Sequence, residues 1–276
     1  MKIIQQNIPA LKKIKLSAWR ALSLGTWRVV GDSTVYGMLE VPVDRALAHL
    51  QELSQKSGER LTLTHFIGRA AGLTIKANPQ INTLVRWGCI YQRKQVDLFF
   101  QIAADQRGDD LTGTVIRQID QKSIVEIARE LNLSVKTTRR DGDPNFKRVK
   151  GMVNLLPTAL WRWILNALGF MLYSLNLWTP LIGAPRDPFG SAMISNVGSL
   201  DIEFALPPLV PYSRVPLILT IGSMKNGLRR AADGSVEDYK FVRLGVTFDH
   251  RLIDGVHAAK MAKNFREIFE QPDTLT

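Results

Sequence analysis

The segment Val246–Ala262, VTFDHRLIDGVHAAKMA, places an imidazole, a guanidinium and two carboxylates within six residues, at His250, Arg251, Asp249 and Asp254. An apolar run precedes them and a helical pattern follows. A histidine between a strand and a helix is well placed as a general base, because its unperturbed pKa lies near neutrality. Gly255 then allows a tight turn into the helix. The ordinary structural alternative is a hydrogen-bonded turn histidine, with Asp249 or Asp254 as the helix cap. For a lone histidine, spacing alone favours that alternative.

The elements that must position these groups are readable as periodicities. Ser17 caps a helix from Ala18 to about Val30, interrupted by Gly25. GMLEVPVD alternates as a strand does, and the helix from Asp44 to Lys56 carries Leu47, Leu50 and Leu53 on one face. Thr64 is expected to cap a second apolar helix that Pro79 ends. Short strands follow at NTLVRWG, CIYQRK and VDLFFQIAAD, the last nearly continuous in apolar residues as a fully buried strand would be. QKSIVEIARELNLSVKTTRR is an amphipathic helix. The stretch from Pro216 to His250 holds two or three strands joined by Gly and Asp-Gly turns, and a helix from Gly255 to Glu270 closes the chain. The pattern predicts one α+β domain over 1–276, with helices on a mostly antiparallel or mixed sheet.

Composition bounds the function. Of 276 residues, 45% are hydrophobic and 22% charged, and 36 basic against 25 acidic residues give +11. That excess suits an anionic partner: nucleic acid, an anionic membrane surface or a phosphorylated small molecule. The basic residues are scattered without an aromatic-basic recognition motif, so no nucleic acid is expected. A single cysteine, Cys89, excludes an internal disulfide framework and fits a reducing compartment. MKIIQQNIPALKKIKL lacks the apolar core of a signal peptide, so a cytoplasmic location is expected.

DHRLIDG resembles the DHRxxDG signature of the acyltransferase (E2) catalytic domain of 2-oxo-acid dehydrogenase complexes, at Asp249, His250, Arg251, Asp254 and Gly255. SAMISNVGSLDIEFALPPLVPYSRVPLILTIG resembles the family's ISNLG…PP…LxxG stretch, and KLSAWRAL, TLTHFIGRAAGLTIKANPQIN, VDLFFQIA and KSIVEIA follow its course. The resemblance implies a fold like chloramphenicol acetyltransferase and an acyltransferase using coenzyme A. His250 would deprotonate a thiol of coenzyme A or a dihydrolipoyl group for attack on a thioester. Ser195, followed by Asn196, would donate to the oxyanion, a contact worth a few kcal/mol in a dry site. Histidine and serine would come from neighbouring subunits of a homotrimer. Asp254 would support the histidine loop by pairing with Arg20, or alternatively Arg28. His65 and His257 are expected to be structural, and no metal is expected.

The departures from the family shape further expectations. The chain starts directly in the catalytic region, so no covalent lipoyl group is expected on it. A separate lipoyl-domain protein, or free donor and acceptor, would take its place. The family's TPxGLxxP segment is replaced by AADQRGDDLTGTVI, and the weak C-terminal PDTLT predicts a bare trimer rather than a cage. A long hydrophobic helical insertion is expected at about 147–190. From Trp163 to Pro185 it carries no charge. It reads either as a lid on the trimer or as a membrane contact. A helix from Trp163 to Trp178 would rise only about 22 Å, short of a hydrocarbon core of about 30 Å. Trp161, Trp163, Phe170 and Trp178, flanked by Lys147, Arg148, Lys150 and Arg186, suit a segment dipping into one anionic leaflet. A peripheral location on the inner membrane face would follow, with a hydrophobic acyl group or acceptor such as a fatty acyl thioester or a lipid hydroxyl, so that the acceptor is a thiol or a hydroxyl. The alternative function is a catalytically idle trimeric scaffold assembling partners at a membrane, or an E2 core served by a lipoyl domain on another chain.

Overall fold

The computed structural model describes residues 5–9, 11–15, 33–103, 111–141, 158–182, 185–231 and 233–275. The helix expected over 18–30, with Arg20 and Arg28, lies outside them, as do Lys147, Arg148 and Lys150. In chain order the main elements begin with β1 (Gln5–Gln6), β2 (Lys12–Lys13), β3 (Thr34–Pro42), α1 (Asp44–Ser57) and α2 (Leu63–Ala77). Then come β4 (Thr83–Arg86), β5 (Cys89–Gln92), β6 (Leu98–Ala103), β7 (Leu111–Ile116) and α3 (Ile124–Asp141). α4 (Thr158–Gly169) continues into a π-helical turn, Phe170–Ser174, before β8 (Leu177–Trp178) and β9 (Ala192–Asn196). The chain closes with β10 (Leu217–Ile221), β11 (Lys225–Arg230), β12 (Val236–Asp249) and α5 (Gly255–Glu270).

Local chemistry sets the helix ends. α1 stops at Gly58, whose φ of 70° is the left-handed conformation that closes a helix. α2 is capped by Thr62, not Thr64 as the sequence suggested. Thr62 is extended, and its backbone N–H donates to His65 Nδ1 at 3.1 Å in a capping box. Thr64 already lies inside the helix, and its hydroxyl serves another residue described below.

The principal sheet runs β11-β12-β10-β9-β6-β7, with β3 on the other flank of β12. β9 is parallel to both β10 and β6, whereas the remaining pairs are antiparallel. Leu39 and Val41 of β3, Ala192 and Ile194 of β9, Leu217, Leu219 and Ile221 of β10, and Leu244 and Phe248 of β12 share one core. Phe66, Ile67, Ala70 and Ile75 of α2, with Met261, Phe265 and Phe269 of α5, complete it. The period of two on the strands meets the helical period on α2 and α5, as a helix-on-sheet α+β architecture requires.

The opposite face of β10 is covered too. Thr220 Oγ1 donates to the Ala205 carbonyl at 2.6 Å. Gly222 and Gly245 leave no room for a Cβ beneath the Glu203 and Ala205 carbonyls. Residues 203–205 therefore lie directly on the sheet, which is why LILTI is buried at every position.

A second, smaller layer sits beside this body. β1 pairs with β8, and β2, β5 and β4 form a three-stranded sheet. Ile8, Leu84, Leu172 and Tyr173 form its core, with Trp178 packed against it. Trp178 is thus half-buried in protein rather than marking an outer rim. The apolar segment expected at about 147–190 contributes α4 and the π turn to this layer. No described helix is long and apolar enough to cross a membrane.

Candidate active site

β12 ends in the turn that carries His250, and backbone hydrogen bonds fix that turn. Asp249 N–H donates to Pro216 O at 2.9 Å and His250 N–H to Ser33 O at 2.8 Å. The Leu252 and Ile253 N–H groups both donate to Asp249 O at 2.9 Å, reversing the chain. The Asp249 carboxylate is buried and fully engaged. It accepts from Ser33 Oγ at 2.8 Å, from the Arg251 N–H at 3.0 Å and from Arg251 Nη2 at 2.6 Å. These charge-assisted bonds raise the Arg251 pKa above its ordinary value. Arg214 faces the same pair from the loop before β10. Burial lowers its pKa, Arg251 lowers it further, and Asp249 opposes both. Asp249 and Arg251 therefore hold the turn, with His250 between them.

A backbone carbonyl helps to orient the imidazole. His250 Nδ1 lies 3.1 Å from the Ile253 carbonyl oxygen. A carbonyl only accepts, so Nδ1 carries a proton. The side chain is half-buried at the sheet end. An imidazole held in this way has the chemistry to take part in proton transfer.

Asp254 is the N-cap of α5. Its carboxylate accepts the His257 N–H at 3.1 Å and lies 2.6 Å from His257 Nδ1. The helix-cap reading of Asp254 is the one observed here; the arginine expected to pair with it falls on Arg20 or Arg28, outside the described residues. Gly255 opens α5 directly after this cap, with open space where a Cβ would stand. His257 is held by the cap, and His65 is buried in the α2 box, where burial pushes its pKa down to about 4. Among the described residues no cluster of three His, Cys, Asp or Glu could hold a metal ion.

Ser195 and Asn196 end β9. Asn196 Nδ2 donates to Thr64 Oγ1 at 2.8 Å, and Asn196 Oδ1 accepts the Ser199 N–H at 3.1 Å. Gly198 then passes so close to Gly222 that a Cβ there would collide with its carbonyl. Asn196 is a positioning residue, and Ser195 stands half-buried on a rigid strand end.

Register separates Ser195 from His250. Thr220 pairs with Ser195 on one side and with Gly245 on the other. His250 lies five residues beyond Gly245, about 17 Å along the strand direction and two strands, about 10 Å, across. One chain therefore places the two side chains toward opposite ends of the sheet. A site using both must be built from two copies. Ser33 and Arg214 escaped the sequence reading, and Thr64 was read only as a helix cap: Ser33 meets Asp249 across 216 residues, and no periodicity encodes such a contact.

With this geometry in hand, comparison with known proteins is informative. The family described as 2-oxoacid dehydrogenases acyltransferase (catalytic domain) matches residues 32–151 and 189–276. The chain is 24% identical over 221 residues to the dihydrolipoyllysine-residue acetyltransferase component of the acetoin cleaving system of Bacillus subtilis (strain 168), covering 80% of this chain and 44% of that protein. It spans about half the length of the curated relatives it matches. Among solved structures, a probable dihydrolipoamide acetyltransferase from Listeria monocytogenes 4b F2365 superposes with a TM-score of 0.65 at 20% identity, covering 94% of each chain. Chloramphenicol acetyltransferase superposes with a TM-score of 0.55 at 13% identity, over 94% of this chain and 99% of that one. These likenesses establish a shared fold, a mixed sheet carrying helices.

Proposed function

Because the chain belongs to the 2-oxoacid dehydrogenases acyltransferase (catalytic domain) family, we propose that it transfers an acyl group between coenzyme A and a dihydrolipoyl thiol, at a site shared by two subunits of a homotrimer. The observation that carries this reading is the Nδ1 contact of His250 to Ile253 O, which fixes the imidazole in the turn at the end of β12. Nε2 takes the proton of the attacking thiol. The thiolate sulfur adds to the thioester carbonyl carbon, and the resulting oxyanion accepts a hydrogen bond from Ser195 Oγ of the neighbouring subunit. Collapse breaks the original carbon–sulfur bond, and the leaving thiolate regains the proton from Nε2. The dihydrolipoyl group is presented by a lipoyl domain. The net charge of +11 favours the phosphates of coenzyme A.

The test is thiol release from a panel of short and long acyl-CoAs with dihydrolipoamide as acceptor. His250→Ala should lower turnover by about 10²- to 10⁴-fold, and Ser195→Ala by about 10²- to 10³-fold. Co-assembled His250→Ala and Ser195→Ala chains should regain activity, because mixed trimers restore some intact interfaces. Equal turnover by wild type and His250→Ala, or none with any donor, would sink the proposal.

A further inference from the structure

Helix α4 carries its apolar face outward. Leu160, Trp163, Ile164 and Phe170 recur at helical spacing and are 45%, 73%, 38% and 45% exposed. The opposite side is committed to the protein: a Cβ on Gly169 would stand 2.8 Å from the Tyr212 carbonyl, so the helix backbone rests directly on that loop. The β4–β5 hairpin brings Trp87 to the same rim. Its indole meets Phe170 edge-on at 5.5 Å, and Arg86 Nε donates to Ser174 O at 2.6 Å beneath it. Leu175, Leu177 and Leu181 are also exposed in this layer. A contiguous apolar patch of this kind marks an interaction surface.

The charge around it is one-sided. Segments 5–15, 83–92 and 158–182, which build the layer, contain Lys12, Lys13, Lys15, Arg86 and Arg162, and no Asp or Glu. Lys13 pairs opposite Tyr91, which sets the lysine run beside the strand that leaves the Trp87 turn. Asp187, the first acid after α4, is buried against Arg93. A second copy of the same face would bring like charges together. Segment 158–182 also falls between the two stretches that match the family, so an interface common to the family does not account for it.

We propose that this layer is a docking surface for an anionic membrane. α4 lies in the interface, its apolar stripe entering the headgroup–acyl boundary while the cations meet lipid phosphates. It does not span: twelve residues rise about 18 Å against a core of about 30 Å. Three such faces on one trimer would bind together and strengthen a weak single contact. This inference stands apart from the acyltransfer reading, and its test needs no turnover.

The experiment is co-sedimentation of the full chain with phosphatidylcholine vesicles and with vesicles containing one quarter phosphatidylglycerol. Wild type should bind the anionic vesicles, and raised salt should weaken the binding. The variants W163S/I164S/F170S and K12Q/K13Q/K15Q should each bind at least about tenfold more weakly. Thermal unfolding verifies that each is folded, and if the apolar variant is not, the lysine variant alone decides. Absence of binding to anionic vesicles at low salt, or equal binding by wild type and the folded variants, overturns the proposal. So does self-association that W163S/I164S/F170S abolishes while vesicle binding is absent, which would assign the face to a second copy.

Discussion

The turn after β12 and the layer built on α4 are held together in opposite ways. In the turn, many polar bonds are short in sequence: Asp249 to Arg251 across two residues, His250 to Ile253 across three, Asp254 to His257 across three, with Ser33 to Asp249 across 216 as the long-range anchor. In the layer they are long. Asn7 Nδ2 donates to Leu172 O across 165 residues, and Asp187 N–H donates to Asn7 Oδ1 across 180. Arg93 pairs with Asp187 across 94. Local bonds close small loops at little entropic cost, so part of the turn's shape is set within its seven-residue motif. Long-range bonds form only once the rest of the chain has folded. The DHRLIDG turn thus combines local closure with an anchor at Ser33, whereas the layer's orientation depends on tertiary closure throughout.

Three measurements probe this contrast. The largest effect is expected in the layer. Arg93→Ala strips the partner from a buried Asp187, whose side chain is 7% exposed, and should destabilise by about 3–5 kcal/mol in urea unfolding. A loss below about 1 kcal/mol would mean that the layer does not depend on its long-range pair.

A second, intermediate effect shows tertiary burial acting on a local motif. The α2 box needs His65 Nδ1 as an acceptor, and burial lowers its pKa from 6.5 to about 4. The folded protein keeps His65 neutral, whereas the unfolded chain takes up a proton below about pH 6.5. Stability present above that value is lost as the pH falls through the window down to about 4. Between pH 7 and pH 5 the loss should be of the order of 2 kcal/mol. His65→Gln retains an acceptor without titrating, and unfolding free energies measured at both pH values should show that slope shrink. An unchanged slope would assign it to other groups.

The smallest effect is expected in the turn. Asp254→Ala removes the α5 cap and should destabilise by about 1 kcal/mol. If denaturation showed Asp254→Ala to be worse than Arg93→Ala, the contrast between local and long-range regions would be reversed.

Much of the fold was legible because it rests on periodicity and caps. β3, α1 and α5 lie where alternation, the leucine spacing and Gly255 placed them, and Gly234, with φ of 87°, supplies the Asp-Gly turn before β12. The α2 cap was misplaced by two residues because Thr62 and Thr64 are equivalent as residue types, and only the backbone conformation at Thr62 distinguishes them. Trp178 reads as an outward aromatic in sequence, yet it packs on the Ile8–Leu84–Leu172–Tyr173 core through its pairing with Gln5.

The sequence by itself determined the α+β class, the DHRLIDG motif that carries His250 and the uncharged stretch from Trp163 to Pro185, since each depends on residue type, spacing or local bonds. Tertiary structure decided which way α4 faces, which arginine stands over Asp249, and that Ser195 and His250 lie far apart in one chain. Those outcomes follow from strand register and from contacts across tens to hundreds of residues, and neither leaves a periodic trace in the chain.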